Sequence, residues 1–253
     1  TGIDFELIPA GKVTGTIKDE ISGKPLDRIL VELYDSNGQF VNYRYTDPSG
    51  FYFIHTVLSG DYYVVAHPDE KYLVELYDGV RCPFSGCDFA LGTLVPITLG
   101  ATTSGIDFNL DIGGSISGKI LDDFTGLTIY GVDVDIYNSN GEFQMNTYTD
   151  ENGMYSTESI LTTGNYFVRT FSFFEGYFDE VFDNHPCIQC DVTIGDPVSV
   201  TEGNTTTNID FGLDRPSVSI SDASIVEGNS GTQQLTFTVT LSSVPPEDVI
   251  IDY

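Results

Sequence analysis

Residues 11–17 read Gly-Lys-Val-Thr-Gly-Thr-Ile, and residues 114–120 read Gly-Ser-Ile-Ser-Gly-Lys-Ile. The two stretches lie 103 residues apart, and so do the Ile-Asp-Phe tripeptides at 3–5, 106–108 and 209–211. Between these anchors the register holds. Ser36-Asn37-Gly38 matches Ser139-Asn140-Gly141, while Thr46, Asp47, Gly50 and Tyr52 match Thr149, Asp150, Gly153 and Tyr155. A fixed period of this kind is the mark of a duplicated unit. Length differences between the copies fall after Leu58, before Tyr72 and between the cysteines of each copy, where loops are expected.

Within one copy the apolar period is two. Val13, Gly15 and Ile17 alternate with Thr14, Thr16 and Lys18; Ile29, Val31 and Leu33 do the same, as do Tyr62, Val64 and Ala66. Such alternation predicts strands with one face toward a core. Turn signals separate them at Ser22-Gly23-Lys24-Pro25, Ser36-Asn37-Gly38, Asp47-Pro48-Ser49-Gly50 and Ser59-Gly60. Short strands at this spacing, with no helical period, predict an all-β chain of tandem antiparallel Greek-key β-sandwiches, immunoglobulin-like or prealbumin-like.

The chain of 253 residues carries 10 Lys plus Arg against 38 Asp plus Glu, a formal charge of −28. That field repels a phosphate backbone, so no nucleic acid partner is expected. Acidic residues outnumber basic ones 14 to 7 in residues 2–104, 17 to 2 in 105–207 and 7 to 1 in 208–253, so the charge is no terminal tail. With 40% hydrophobic and 13% aromatic residues the chain can bury a core in each copy. No apolar run is long enough to span a bilayer, so no membrane insertion is expected. The first residue is Thr1, which reads as a processed or excised piece.

The order of signals resembles the carboxypeptidase regulatory-like domain: Gly11–Ile17, the Pro25-Leu26 turn into Val31–Tyr34, Thr46–Tyr52 and Gly60–Val64. The resemblance implies a non-catalytic prealbumin-like sandwich similar to the B-type repeats of bacterial adhesins. It also implies that the Ile-Asp-Phe strand closes each domain. Residues 1–8 then become the closing strand of a preceding repeat, 9–110 the first sandwich and 111–214 the second. From Ser217 the text changes to a Val-Glu-Gly-Asn-Ser-Gly-Thr turn, an alternating run over Leu235–Leu241 and a further strand over Val249–Tyr253. This resembles the opening of a Calx-beta domain, with 215–253 as its partial copy, and implies a calcium-binding role for Glu227.

Each copy holds two cysteines, Cys82 with Cys87 and Cys187 with Cys190. Two pairs so far apart in sequence are poorly placed to converge on one zinc, and a local disulfide in each copy is favoured, which implies an oxidising, extracytoplasmic setting. Acidic residues gather beside them: Glu75, Asp78 and Asp88, then Asp179, Glu180, Asp183 and Asp191. Carboxylates on one loop could bind calcium, which takes six to eight oxygens; the competing reading is a solvated acidic surface. Asp47 and Asp150 are expected to cap turns. Lys12, Lys18, Lys24 and Lys71 face Ser115, Leu121, Leu127 and roughly Glu175 in the second copy, which speaks against a lysine crosslink shared by both. In the aromatic run Phe171 to Phe178, Phe174 and Tyr177 could project from a loop to stack on a sugar or a neighbouring domain, or could belong to the core.

Three histidines without counterparts, and the lack of G-x-S-x-G or H-E-x-x-H, give catalysis no footing. The expectation is a non-enzymatic segment of a bacterial extracellular or cell-surface stalk or filament. Its partners would be neighbouring repeats or subunits, which it could join head to tail by adding residues 1–8 to a neighbour's sheet. The alternatives are an adhesin module binding glycan or protein, and an accessory region of a secreted hydrolase.

Overall fold

A computed structural model describes residues 9–68, 71–83, 86–172, 176–187, 189–226, 231–232 and 234–241, with only the backbone of Thr56. The first copy supplies β1 (Gly11–Asp19), β2 (Leu30–Asp35), β3 (Phe40–Tyr45), β4 (Phe51–Val57), β5 (Gly60–His67), β6 (Glu75–Leu76), β7 (Val80–Arg81), β8 (Val95–Ile97), β9 (Thr102–Thr103) and β10 (Phe108–Leu110). The second supplies β11 (Ser115–Asp122), β12 (Asp133–Asn138), β13 (Phe143–Tyr148), β14 (Met154–Ser156), β15 (Gly164–Phe171), β16 (Glu180–Val181), β17 (His185–Pro186), β18 (Val198–Val200), β19 (Thr205–Thr206) and β20 (Phe211–Leu213). Among the described residues the helical content is one 3-10 turn per copy, Phe89–Leu91 and Val192–Ile194. Among the described residues no helix is long and apolar enough to cross a membrane.

The predicted all-β sandwich is present in each copy. In the first, one sheet runs β10-β1-β4 with β9 also on β1, and the other runs β3-β2-β5-β6-β7 with β8 also on β5. The second copy repeats both sheets as β14-β11-β19 with β20 on β11, and β13-β12-β15-β16-β17 with β18 on β15. The predicted alternation places Val13 and Ile17, Val31 and Leu33, Ile54, Val64 and Ala66 in one core with Phe108 and Leu110 of the closing strand. Most pairs are antiparallel, but β10 runs parallel to β1, with Ile17 opposite Phe108. The same parallel closure joins β11 and β20, Ile120 opposite Phe211.

Gly15 makes this closure possible. A Cβ there would sit 1.7 Å from the Ile106 carbonyl oxygen, and at Gly118 a Cβ would sit 1.8 Å from that of Ile209. The bare backbone lets the chain that leads into the closing strand lie against the first strand. Asp47 caps its turn as expected, its carboxylate accepting from the Ser49 amide at 2.8 Å and the Phe51 amide at 3.1 Å. Asp150 does the same for Asn152 and Met154 at 2.8 and 2.9 Å.

One departure from strict alternation matters for the site. Val65, on the face of β5 opposite Val64, is buried too, with Leu76 and Cys82 and with Tyr34, Tyr63 and Phe89 packed around them. Phe167, Val181, Cys187 and Val192 form the equivalent cluster in the second copy. The cysteine loop covers the outer face of the sheet, so each copy holds a second, smaller apolar layer. Burying an aliphatic side chain of this size contributes about 1.5–3 kcal/mol.

By internal contacts the chain falls into two compact units: Thr1–Ser117 with Ser156–Tyr166 and Val198–Thr207, and Gly118–Tyr155 with Phe167–Pro197 and Asn208–Tyr253. After the second copy, β21 (Val218–Ile220) pairs antiparallel with β22 (Val239–Leu241). The alternating run expected to be a strand from Leu235 is therefore strand only from Val239. Its partner is three residues long and both strands are exposed, so no buried face extends the pairing. Residues 1–8 and the strand expected over 249–253 lie outside the described residues.

Candidate functional site

Both disulfides form, Cys82 to Cys87 with Cα atoms 4.7 Å apart and Cys187 to Cys190 with Cα atoms 5.0 Å apart. Closing such short loops contributes about 2 kcal/mol by the chain-entropy model. Their position over the satellite clusters gives them a second effect, since they hold the cover on Val65 and Phe167.

The acidic residues beside the cysteines are dispersed into separate tasks. Asp88 caps the Phe89–Leu91 turn, accepting from the Ala90 amide at 3.0 Å, and Asp191 caps Val192–Ile194, accepting from the Thr193 amide at 3.0 Å. Asp78 sits in the left-handed region at the β6–β7 turn and accepts from the Thr93 hydroxyl at 3.4 Å. Asp179 accepts from the Ser172 amide at 2.6 Å and lies 3.5 Å from Arg169, and Asp183 accepts from Asn184 at 2.5 Å. Among the described residues no three His, Cys, Asp or Glu side chains come together to hold a metal ion. Glu227 and Phe174 lie outside the described residues.

Of the two alternatives expected for Tyr177, projection or core, the structure has it enclosed. It is 5% exposed, and its hydroxyl donates to Asp122 Oδ2 at 2.9 Å while the Arg215 guanidinium lies 4.1 Å from its ring centre. An enclosed phenol with a carboxylate partner does not project for stacking on a sugar. Tyr72 is its counterpart, donating to Asp19 Oδ2 at 2.7 Å. The Ser22 amide and then the Tyr72 hydroxyl hold the Asp19 carboxyl down at about 2.

These tyrosines mark the trailing end of each copy, where the last strand leaves. In the first copy the Leu73 amide donates to the Asp111 carbonyl at 2.9 Å, and Phe178 does so to Asp214 at 2.9 Å in the second. Glu75 and Glu180 stand at equivalent positions beside them, both buried. Burial pushes each carboxyl up to about 7; nearby Arg81 opposes this for Glu75, while Asp214, Asp123 and Asp183 reinforce it for Glu180. The reason is a substitution between the copies. Arg81 donates from Nε to Asp111 at 2.9 Å and lies 3.2 Å from Glu202, but the second copy has Pro186 in its place. Glu180 Oε2 is buried without a hydrogen-bond partner among the described residues. It lines a cavity of about 920 Å³ whose other walls include Asp122, Phe124, Leu127, Tyr177 and Arg215.

A second feature escaped the sequence reading. On the edge strand β3, Phe40, Tyr43 and Tyr45 are exposed in a row, with ring centres 6.3 and 6.0 Å apart.

No protein-family model matches the sequence. No curated protein matches it either. Among solved structures, the chain is similar to GBS52, the minor pilin of Streptococcus agalactiae, at 14% identity over 88% of this chain and 99% of that one, with a TM-score of 0.41. The shaft pilin SpaA of Lactobacillus rhamnosus GG matches at 10% identity over 81% of this chain and 98% of its own, with a TM-score of 0.40. The TIE protein of Bacillus anthracis matches at 16% identity and a TM-score of 0.33 over 82% of this chain, which spans 34% of that protein's chain.

Proposed function

We propose that the chain is a non-catalytic, load-bearing segment of an extracellular bacterial stalk or filament. The observation that carries this reading is the parallel pairing of first and last strands in each copy, Ile17 to Asp19 with Phe108 to Leu110 and Ile120 to Asp122 with Phe211 to Leu213. Because the strands are parallel, the start of β1 and the end of β10 point to opposite ends of the sheet. Tension along the chain then shears all their hydrogen bonds together, instead of opening them one at a time as in a hairpin. A disulfide in each copy fits an oxidising compartment.

Pulling single full-length chains by their ends tests the reading. Two force peaks of similar height are expected, each releasing a 103-residue length of chain, roughly 340–370 Å at 3.3–3.6 Å per residue. Gradual extension without peaks would overturn it.

A second reading, an adhesin module, is favoured by the exposed row Phe40, Tyr43 and Tyr45, since aromatic faces stack on sugar rings. A glycan array decides it: binding lost in Tyr43→Ala and Tyr45→Ala supports an adhesin, and no binding by the parent chain removes it.

A further inference from the structure

The duplication supplies an internal comparison for Glu180. In the first copy its counterpart, Glu75, lies directly across the β6–β7 pair from Arg81; in the second, Glu180 lies directly across the β16–β17 pair from Pro186. Opposed side chains on antiparallel strands interact, so the first copy sets a guanidinium of its own against its buried carboxyl. The second copy does not. Glu180 is 7% exposed, and its Oε2 has no hydrogen-bond partner among the described residues. The charges that act most strongly on it are all negative, Asp214, Asp123 and Asp183.

The surroundings have changed in the same direction. Lys24 of the first copy corresponds to Leu127, Ile21 to Phe124 and Leu73 to Phe178, so a second cation has given way to an apolar residue and two aliphatic side chains to rings. Leu127, Phe124, Phe178 and Pro186 all line the cavity of about 920 Å³ that Glu180 also lines, and every wall of it belongs to the second compact unit. Cavities of this size hold small ligands, gripped by apolar walls and oriented by a few polar groups.

Arg215 shows how a guanidinium rests on such walls. It lies 4.1 Å from the centre of the Tyr177 ring and 3.3 Å from Asp122, held by an aromatic face and a carboxylate together. Glu180, with the rings of Phe124 and Phe178, repeats that combination on another part of the lining. The arginines of the second copy are engaged elsewhere, Arg215 with Asp122 and Arg169 with Asp179 at 3.5 Å. Residues 216–253 contain no Lys or Arg.

We infer that this cavity recognises an arginine side chain carried on a polypeptide segment of another protein, with the guanidinium against Glu180. A planar, weakly hydrated cation can lie on an aromatic wall and still donate to a carboxylate, which an ammonium does less well. The rim gives the flanking residues somewhere to lie, since Phe124 is 95% and Leu127 68% exposed. Such a site is independent of whether the chain bears tension, and the force peaks are expected with or without it.

Calorimetric titration of the full chain with a blocked glycyl-arginyl-glycine tripeptide tests it. Saturable binding is expected, weakened roughly tenfold or more when citrulline, of the same shape but neutral, replaces the arginine. Glu180→Gln is expected to weaken binding by a similar factor. Pro186→Arg, at an exposed position, gives the second copy the cation that the first already has and is expected to abolish binding. Urea titration establishes that both variants are folded, and the citrulline comparison needs only the parent chain. No saturable binding, equal binding of the citrulline peptide, or unchanged binding by folded Pro186→Arg would overturn the inference. Tighter binding of free arginine than of the tripeptide would overturn the polypeptide source.

Discussion

The hydroxyl of Tyr52, on β4, donates to the carbonyl of Ile106 at 2.6 Å, across 54 residues and inside the core. Tyr155 repeats the bond to Ile209 at 2.5 Å. Each bond ties the middle of a copy to the segment leading into its closing strand.

Removing that hydroxyl leaves a buried carbonyl without its partner. Tyr52→Phe is expected to lower stability by about 1–3 kcal/mol and to reduce the force of one peak while leaving the other. Urea titration and the pulling trace measure the two effects, and Tyr155→Phe should act on the other copy.

Gly15→Ala asks for space that the Ile106 carbonyl occupies, with only 1.7 Å available. The closing segment would have to move off β1, at a cost of about 3 kcal/mol or more. Loss of one of the two force peaks, with a lowered urea midpoint, is the expected record.

Stability should fall as pH rises through neutrality. An ordinary glutamate titrates near 4.5, but Glu75 and Glu180 are held up to about 7, so the folded chain binds more protons than the unfolded one in that interval. Their contribution is complete below 4.5 and is lost toward 7, on the order of 3 kcal/mol per carboxyl. Asp19 acts in the opposite sense, contributing above 3.8 and losing its contribution as pH falls toward 2. Thermal melts of dilute monomer should peak near pH 4–5. Glu180→Gln should flatten the slope above that maximum; an unchanged slope would remove Glu180 from the account.

Reduction of the disulfides should strip the satellite layer and spare the main core. Leu76 and Val65 lie under the first loop, Val181 and Phe167 under the second. A loss of about 2 kcal/mol per bridge is expected, with dye-accessible apolar surface gained and far-ultraviolet dichroism retained.

The strands that face the main core were legible because alternation is a local property: Val13, Ile17, Val31, Leu33 and Val64 are buried where the period places them. Val65 and Phe167 were not legible, since their cover comes from a loop that no strand period describes. The same blindness made Glu75 and Glu180 look like solvated acids or calcium ligands, and left Tyr177 open between core and loop. The signal that singles out Glu180 was present nonetheless, in the exchange of Arg81 for Pro186 between otherwise matching positions. The parallel direction of β10 could not be read from either strand alone, because it is set by where the intervening chain crosses.

β1 waits for its partner through almost the whole synthesis of its copy, since Thr16 and Asp107, hydrogen-bonded at 2.7 Å, are 91 residues apart. A nascent chain halted before Leu110 leaves Ile17 to Asp19 with no strand on that edge. Maturation of each copy is thus a late, nearly simultaneous event, and until it occurs the incomplete edge is the place where a ribosome-bound or translocating intermediate is most exposed to mispairing with its neighbours.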